Sequence, residues 1–143
     1  TYCNQGQFQK GIDDLSKAIE LDPKYAVAYC NRSLAYQNLE QYQKEIDDCN
    51  QVIRLDPKRA AAYFRRGFAC CKLGQHQKEI DDYSKAIELD PKNAAAYTNR
   101  GIAYANHSQY QKAVEDFIHA FDLDTETLPP YMREFVRNLV RTM

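Results

Sequence analysis

Apolar and polar positions along the chain follow a two-helix rhythm. Between residues 63 and 89, the small or apolar residues Tyr63, Gly67, Cys70 and Leu73 fall at i, i+4, i+7 and i+10; after a break at Gly74-Gln75, Ile80, Tyr83, Ala86, Ile87 and Leu89 resume the spacing. That is the 3.6-residue period of one buried helical face, so the block reads as helix, turn, helix. The block recurs. Leu-Asp-Pro stands at 21–23, 55–57 and 89–91, tyrosine at 29, 63 and 97, and Gln-Lys at 9–10, 43–44, 77–78 and 111–112, each series stepping by 34 residues. Units therefore cover 26–59, 60–93 and 94–127, preceded by a partial unit over 1–25 in which Thr1 holds the tenth position.

The period predicts antiparallel helix pairs at 26–39 with 42–55, 60–73 with 76–89, and 94–107 with 110–123; the partial unit gives a helix at 8–21 with a short helical remnant before it. Gly6 and Gly74 suit the left-handed conformation that ends a first helix, and Glu40 and Ser108 hold the same slot less comfortably. Pro23, Pro57 and Pro91 lack an N–H and push the preceding residue out of the helical region, which closes each second helix. The segment 128–143 differs in kind: Pro129-Pro130 open a predicted helix at 130–142 with Tyr131, Phe135, Leu139 and Val140 on one face and Arg133, Arg137 and Arg141 on another. A terminal repeat must hide its open apolar face, so this helix is expected to be a cap. The competing reading is a basic amphipathic helix for a membrane or a partner.

The segments Tyr-Cys-Asn-Arg-Ser-Leu-Ala-Tyr (29–36), Tyr-Phe-Arg-Arg-Gly-Phe-Ala-Cys (63–70) and Tyr-Thr-Asn-Arg-Gly-Ile-Ala-Tyr (97–104) resemble the first helix of tetratricopeptide repeats. Small Ser33, Gly67 and Gly101, the alanines 18, 86 and 120, and the closing prolines fit the same pattern. The resemblance implies an all-α fold, a right-handed α-solenoid of antiparallel helix pairs. It also exposes departures. Where the family has alanine early in the second helix, as at Ala113, this chain has Glu45 and Glu79, with Gly11 in the partial unit; Val52 and Thr125 replace a smaller alanine and a proline. A carboxylate near the seam of a helix pair needs a partner. Arg32 is expected to pair with Glu45 or Asp48, and Arg66 with Glu79 or Asp82.

Composition narrows the chemistry. Among 143 residues, 19 basic and 20 acidic side chains give a net charge of -1, and the charged fraction is 27%. This is not the basic balance that nucleic acid requires. No apolar run approaches the roughly 20 residues of a membrane span, and no signal peptide opens the sequence. The five cysteines (3, 30, 49, 70, 71) make no C-x-x-C pair and no disulfide framework, which favours a reducing, cytoplasmic setting. Cys70 and Cys71 diverge on a helix and, with His76, His107 and His119, lack metal-ligand spacing, so neither a metal nor another cofactor is expected. No catalytic residue is assigned, since there is no G-x-S-x-G, H-E-x-x-H or phosphate loop. Nine of the eleven tyrosines (2, 29, 36, 42, 63, 83, 97, 104, 110) fall on recurring slots and read as core. The acidic pairs 13–14, 47–48, 81–82 and 115–116 read as a solvated outer face, supported by Lys10, Lys44, Lys78 and Lys112 at i,i+3.

Charge separates by helix type. The first helices carry Arg32, Arg65, Arg66, Lys72 and Arg100 and no acid, whereas the second helices carry seven basic and thirteen acidic residues. In the family this chain resembles, first helices line the concave groove and second helices form the convex back. That implies groove positions Val27, Cys30, Asn31, Leu34, Gln37 and Asn38, then Ala61, Phe64, Arg65, Phe68, Cys71 and Lys72, then Ala95, Thr98, Asn99, Ile102, Ala105 and Asn106. From these, Asn31, Leu34, Asn38, Phe64, Arg65, Phe68, Lys72, Asn99, Ile102 and Asn106 are the candidate peptide-binding residues. Amides donate to and accept from a peptide backbone, Arg65 and Lys72 attract acidic side chains, and Phe64 and Phe68 form an apolar pocket. The expected function is non-catalytic binding of an extended, acidic protein segment. Asn31 and Arg65 are also similar to two positions of the co-chaperones that clamp the acidic C-terminus of heat-shock chaperones, although Ala61 stands where that clamp has lysine. A further alternative is self-association through the truncated first repeat.

Overall fold

A computed structural model of the chain describes residues 2–142, and their side chains from residue 5 onward. These residues form eight helices and no strand: α1 (Tyr2–Leu21), α2 (Ala26–Asn38), α3 (Tyr42–Leu55), α4 (Ala60–Lys72), α5 (His76–Leu89), α6 (Ala94–Asn106), α7 (Tyr110–Leu123) and α8 (Pro130–Thr142). Helices α2 with α3, α4 with α5 and α6 with α7 are the paired units; α3 rests on α4, α5 on α6 and α7 on α8, so each helix touches its sequence neighbours, the arrangement of a solenoid. No helix among the described residues is long and apolar enough to cross a membrane.

The turn within each complete unit is set by one residue in the left-handed region: Glu40 (φ 56°), Gly74 (φ 72°) and Ser108 (φ 61°). Backbone bonds close it, as from Gly74 N–H to the Cys71 carbonyl (3.1 Å) and Gln75 N–H to the Cys70 carbonyl (2.8 Å). The expectation of the same turn at Gly6 is corrected, because α1 runs unbroken through it.

The seams show why small residues recur in the first helices. A methyl added at Gly67 would stand 3.0 Å from the Tyr83 ring, and one at Gly101 would stand 2.7 Å from Phe117. Tyr29 and Tyr63 are buried, and their hydroxyls donate to the carbonyls of Pro23 (3.2 Å) and Pro57 (3.1 Å), tying each first helix to the loop before it. Not every tyrosine slot is core, however. Tyr42 leans edge-on to Phe68 of the next unit (6.4 Å), whereas its counterpart Tyr110 is 64% exposed and stacks on no ring among the described residues; the expected core residue Tyr2 lies outside the described side chains.

Three arginines act as staples. Arg32, Arg66 and Arg100 each grip an aspartate of their own unit through two nitrogens: Asp48 (2.9 and 2.7 Å), Asp82 (2.9 and 2.7 Å) and Asp116 (2.8 and 2.7 Å). The remaining nitrogen reaches back one unit to Ser16 (3.1 Å), Asn50 (2.9 Å) or Ser84 (3.1 Å). These bonds push all three guanidinium groups above their ordinary pKa. The outer-face reading of the acidic pairs therefore holds for both members of the first pair and for the first member of the other three. Asp48, Asp82 and Asp116 are buried, and the exposed Asp13, Asp47 and Asp81 take bonds from Gln9, Gln43 and Gln77 at i,i−4 rather than from the lysines expected.

Helix α8 packs on α7, but not with the stripe expected. Leu128 and Val136 are the buried contacts, joined by Met132 against Phe117 and Ala113, while Tyr131, Phe135 and Val140 remain 72%, 57% and 41% exposed. Arg133 leaves the outer face to fasten the helix, donating to the Leu128 carbonyl (2.6 Å) and pairing with Glu126 (2.8 Å). The stripe that packs is the adjacent one, Leu128, Met132 and Val136.

Candidate functional site

Helices α2, α4 and α6 stand side by side, and their side chains create a recess of about 430 Å3 lined by Gln37, Ala61, Phe64, Arg65, Phe68 and Asn99. Four candidate residues thus converge: Phe64, Arg65 and Phe68 from α4 and Asn99 from α6. The two rings stand one turn apart because 64 and 68 share a helical face. Phe64 is anchored by its tilted contact with the buried Tyr83 ring (5.6 Å). The remaining candidates lie around this recess without lining it. Asn31, Leu34 and Asn38 are exposed on α2, Ile102 and Asn106 on α6, and Lys72 holds its ammonium 5.3 Å from the Phe68 ring centre. The Asn38 amide nitrogen already donates to the Leu34 carbonyl (2.9 Å), which leaves its oxygen free to accept. Thr98, expected to face the groove, is buried and donates to Ala94 (3.1 Å).

Arg65 is the central cation. Its Nη1 donates to the Cys30 carbonyl (2.8 Å) and to Ser33 Oγ (3.4 Å), bonds that fix the guanidinium across the α2–α4 seam. It is not in any ion pair of the described residues, unlike the staples Arg32, Arg66 and Arg100. A second cation was missed. Arg59, in the loop before α4, donates to Cys30 Sγ (2.9 Å), and together with Arg65 it lines a neighbouring recess of about 280 Å3. Loop positions carry no helical period, so the groove assignment by helix face passed it over. Asp56, three residues before it, makes a long ion pair with it at 3.8 Å and is half exposed.

Beneath the groove lies the one departure the staples do not explain. Glu45 is fully buried and neither carboxylate oxygen has a hydrogen-bond partner. Arg32 chooses Asp48 instead, so the expected alternative of an Arg32–Glu45 pair is not realised. Arg100 makes the same staple in a unit that has Ala113 at this slot, so the staple exists independently of the glutamate. Burial pushes the Glu45 carboxyl up to about 7, partly opposed by the charge of Arg65. Glu79, at the same slot one unit on, differs in having His76 Nδ1 at 3.6 Å.

The remaining reactive groups are quiet. Burial raises the thiols of Cys70 and Cys71 above their ordinary pKa and that of Cys49 to about 12, which keeps them protonated and poorly nucleophilic. His76 and His107 meet edge to face (4.2 Å between ring centres), yet no three His, Cys, Asp or Glu residues among those described come together as metal ligands.

Comparison with known proteins agrees with this geometry. A family model described as TPR repeat matches residues 1–40 and 67–108, and one described as tetratricopeptide repeat matches residues 26–59 and 94–127. The chain is similar to the crystal structure of MamA protein, with 30% identity and a TM-score of 0.78 over 86% of this chain and 67% of that one. It is also similar to the TPR domain of Arabidopsis OM64 (26% identity, TM-score 0.71, 82% and 94% covered). A third similar structure is the TPR2B domain of yeast Sti1 in complex with pHsp70 (27% identity, TM-score 0.68, 71% and 81% covered). No curated protein matches the chain.

Proposed function

The chain belongs to the tetratricopeptide repeat family, a family of protein-binding modules, and on that footing we propose that it is a non-catalytic scaffold that grips an extended, acidic segment of a partner protein in its concave groove. One observation carries the acidic preference: Arg65 faces a recess with two phenylalanines and two amides and has no carboxylate partner. A half-buried guanidinium in that state attracts a ligand carboxylate with little competition from water. Gln37 and Asn99 then meet the ligand backbone, Phe64 and Phe68 take an apolar side chain, and Lys72 and Arg59 extend the positive field on either side of Arg65.

The chaperone-tail reading has specific support in Asn31 and Arg65 and in the likeness to a TPR domain solved with pHsp70. Ala61 weakens it, and Arg59, two residues upstream, supplies a cation on the same seam. Titration of the protein with three fluorescent peptides separates the readings: an internal acidic segment with blocked ends, an acidic peptide with a free C-terminal carboxylate, and the same peptide amidated. For the proposed scaffold the first two bind alike, binding weakens as salt rises, Arg65→Ala loses about 1–3 kcal/mol and Lys10→Ala, on α1, loses almost nothing. Strict dependence on the free carboxylate would replace the scaffold reading with the clamp. Binding that ignores Arg65→Ala refutes both, and a concentration-dependent dimer indifferent to every peptide leaves self-association in their place.

A further inference from the structure

Arg59 and Arg65 meet at one residue from two directions. From the loop before α4, Arg59 donates through Nη1 to the Cys30 thiol (2.9 Å); from α4 itself, Arg65 donates through Nη1 to the Cys30 carbonyl (2.8 Å). Both line the recess of about 280 Å3 at the α2–α4 seam, whose other walls include Ser33, Val52 and Ala62. No acidic residue lines it. The pairing is confined to this unit. At the slot of Arg59 the neighbouring units have Tyr25 and Asn93, and at the slot of Arg65 they have Asn31 and Asn99.

The two guanidinium groups have donors to spare. Arginine carries five N–H groups, and Nε and Nη2 of Arg65 and Nη2 of Arg59 make no hydrogen bond among the described residues. A thiol is a weak acceptor, so the Arg59 contact yields readily to an oxyanion. The acids nearby leave the pair open: Asp56 reaches Arg59 only at 3.8 Å, and Glu45, buried near Arg65, hydrogen-bonds to neither arginine. A single carboxylate occupies one guanidinium fork, as Asp48 does for Arg32. Two forks facing one recess match a group with three acceptor oxygens and a charge of about −2, which is a phosphate monoester.

Position selects the source of that phosphate. The recess shares Ala61 and Arg65 with the one that holds Phe64, Phe68 and Asn99, so a phosphoryl group seated between the arginines lies beside the path of a bound chain. A nucleic-acid backbone presents a row of phosphates, against which a chain of net charge -1 sets one pair of arginines.

We propose that the recess between Arg59 and Arg65 receives a phosphorylated side chain of the partner segment, so that phosphorylation of the partner controls its capture. The inference rests on the groove reading above and deepens it, since it names the anion that the groove prefers.

The probe is a set of capped, fluorescent acidic peptides with one leucine for the Phe64–Phe68 pocket and one variable residue at successive distances on either side of it, in serine, glutamate and phosphoserine versions. At the best spacing, phosphoserine is expected to bind at least about tenfold tighter than glutamate. The quantity read is that ratio in each variant. Arg59→Ala and Arg59→Gln should reduce it to about twofold. Lys58→Ala, which removes the same charge at the exposed neighbour, should leave it unchanged. An unchanged thermal melt verifies the fold of each variant. If a glutamate peptide binds through Arg65 as tightly as its phosphoserine counterpart, the proposal is overturned and the groove reading stands; if no peptide binds, both fall. A ratio lowered equally by Lys58→Ala would overturn it in favour of diffuse attraction. Tighter binding, through Arg59, of an RNA oligonucleotide or of vesicles containing phosphatidylinositol phosphate than of the phosphopeptide would overturn it in favour of that ligand.

Discussion

Replacing Glu45 by glutamine should change how the stability of the protein depends on pH. The buried carboxyl has its pKa raised from 4.5 to about 7, a gap of about two and a half pH units. At 1.36 kcal/mol per unit this is about 3 kcal/mol of linkage free energy. The sign follows from the direction of the shift. In the folded chain the neutral acid is favoured, so its contribution is fully present below about pH 4.5, declines as pH rises, and is lost once pH passes about 7. Glutamine has the same shape and does not titrate. It leaves a buried amide in place of the acid, a penalty of about 1–3 kcal/mol that is the same at every pH. The informative quantity is therefore the difference between the two proteins as a function of pH, not the stability of either. Urea unfolding of wild type and Glu45→Gln, followed by helical circular dichroism from pH 5 to pH 8, should show that difference moving by about 2.5 kcal/mol in favour of the variant, the remainder being lost below pH 5. Other carboxylates titrate in both proteins and cancel. Glu45→Ala, which installs the residue found at 113, should follow the same trend. A difference that stays flat to within about 1 kcal/mol would show that Glu45 finds a partner or water in solution, and the account of its burial would be wrong.

Further outcomes follow from the same seam and from the turns. Ionised Glu45 should compete for Arg65, so affinity for an acidic peptide should fall about fivefold between pH 6 and pH 8, or about 1 kcal/mol; calorimetric titration of wild type against Glu45→Gln checks this, the variant being flat. Asp82→Ala should cost about 3 kcal/mol by leaving Arg66 half-buried without its carboxylate, whereas Asp81→Ala, at an exposed neighbour, should cost almost nothing in the same denaturation assay. Glu40→Gly should stabilise by about 1 kcal/mol, measured as a higher urea midpoint, because Glu40 holds φ 56° where glycine is at ease.

The 34-residue step made the helices legible because the apolar face and the closing prolines return at fixed intervals, and α2 to α7 begin and end within a residue of where the period put them. What the period could not convey was context that differs between equivalent slots. Gly6 and Gly74 share a position, yet Gly74 takes the left-handed turn while α1 continues through Gly6. Tyr42 and Tyr110 share another, yet Tyr42 leans on a ring of the next unit and Tyr110 stacks on none among the described residues. Charge patterning showed that arginines and acids face each other, yet not that Asp48 rather than Glu45 would receive Arg32; the two acceptors, three residues apart, point about 60° apart around the helix, and that decides it in three dimensions. The convergence of Phe64, Arg65, Phe68 and Asn99 was legible from first-helix faces, while Arg59 was not, since nothing in a loop's sequence states where its side chain will lie.

The arginine staples also bear on how the molecule comes apart. Each one joins three helices across two units, so a unit cannot loosen without loosening the next, and opening should spread as a front along the axis rather than at scattered points. The ladder stops after Arg100: the next position in its series is Glu134, and the slot after Ser84 is Ile118. Among the described residues α8 is held by its apolar contacts and Arg133 rather than by a staple, so its amide protons should exchange faster than those of α2 to α7.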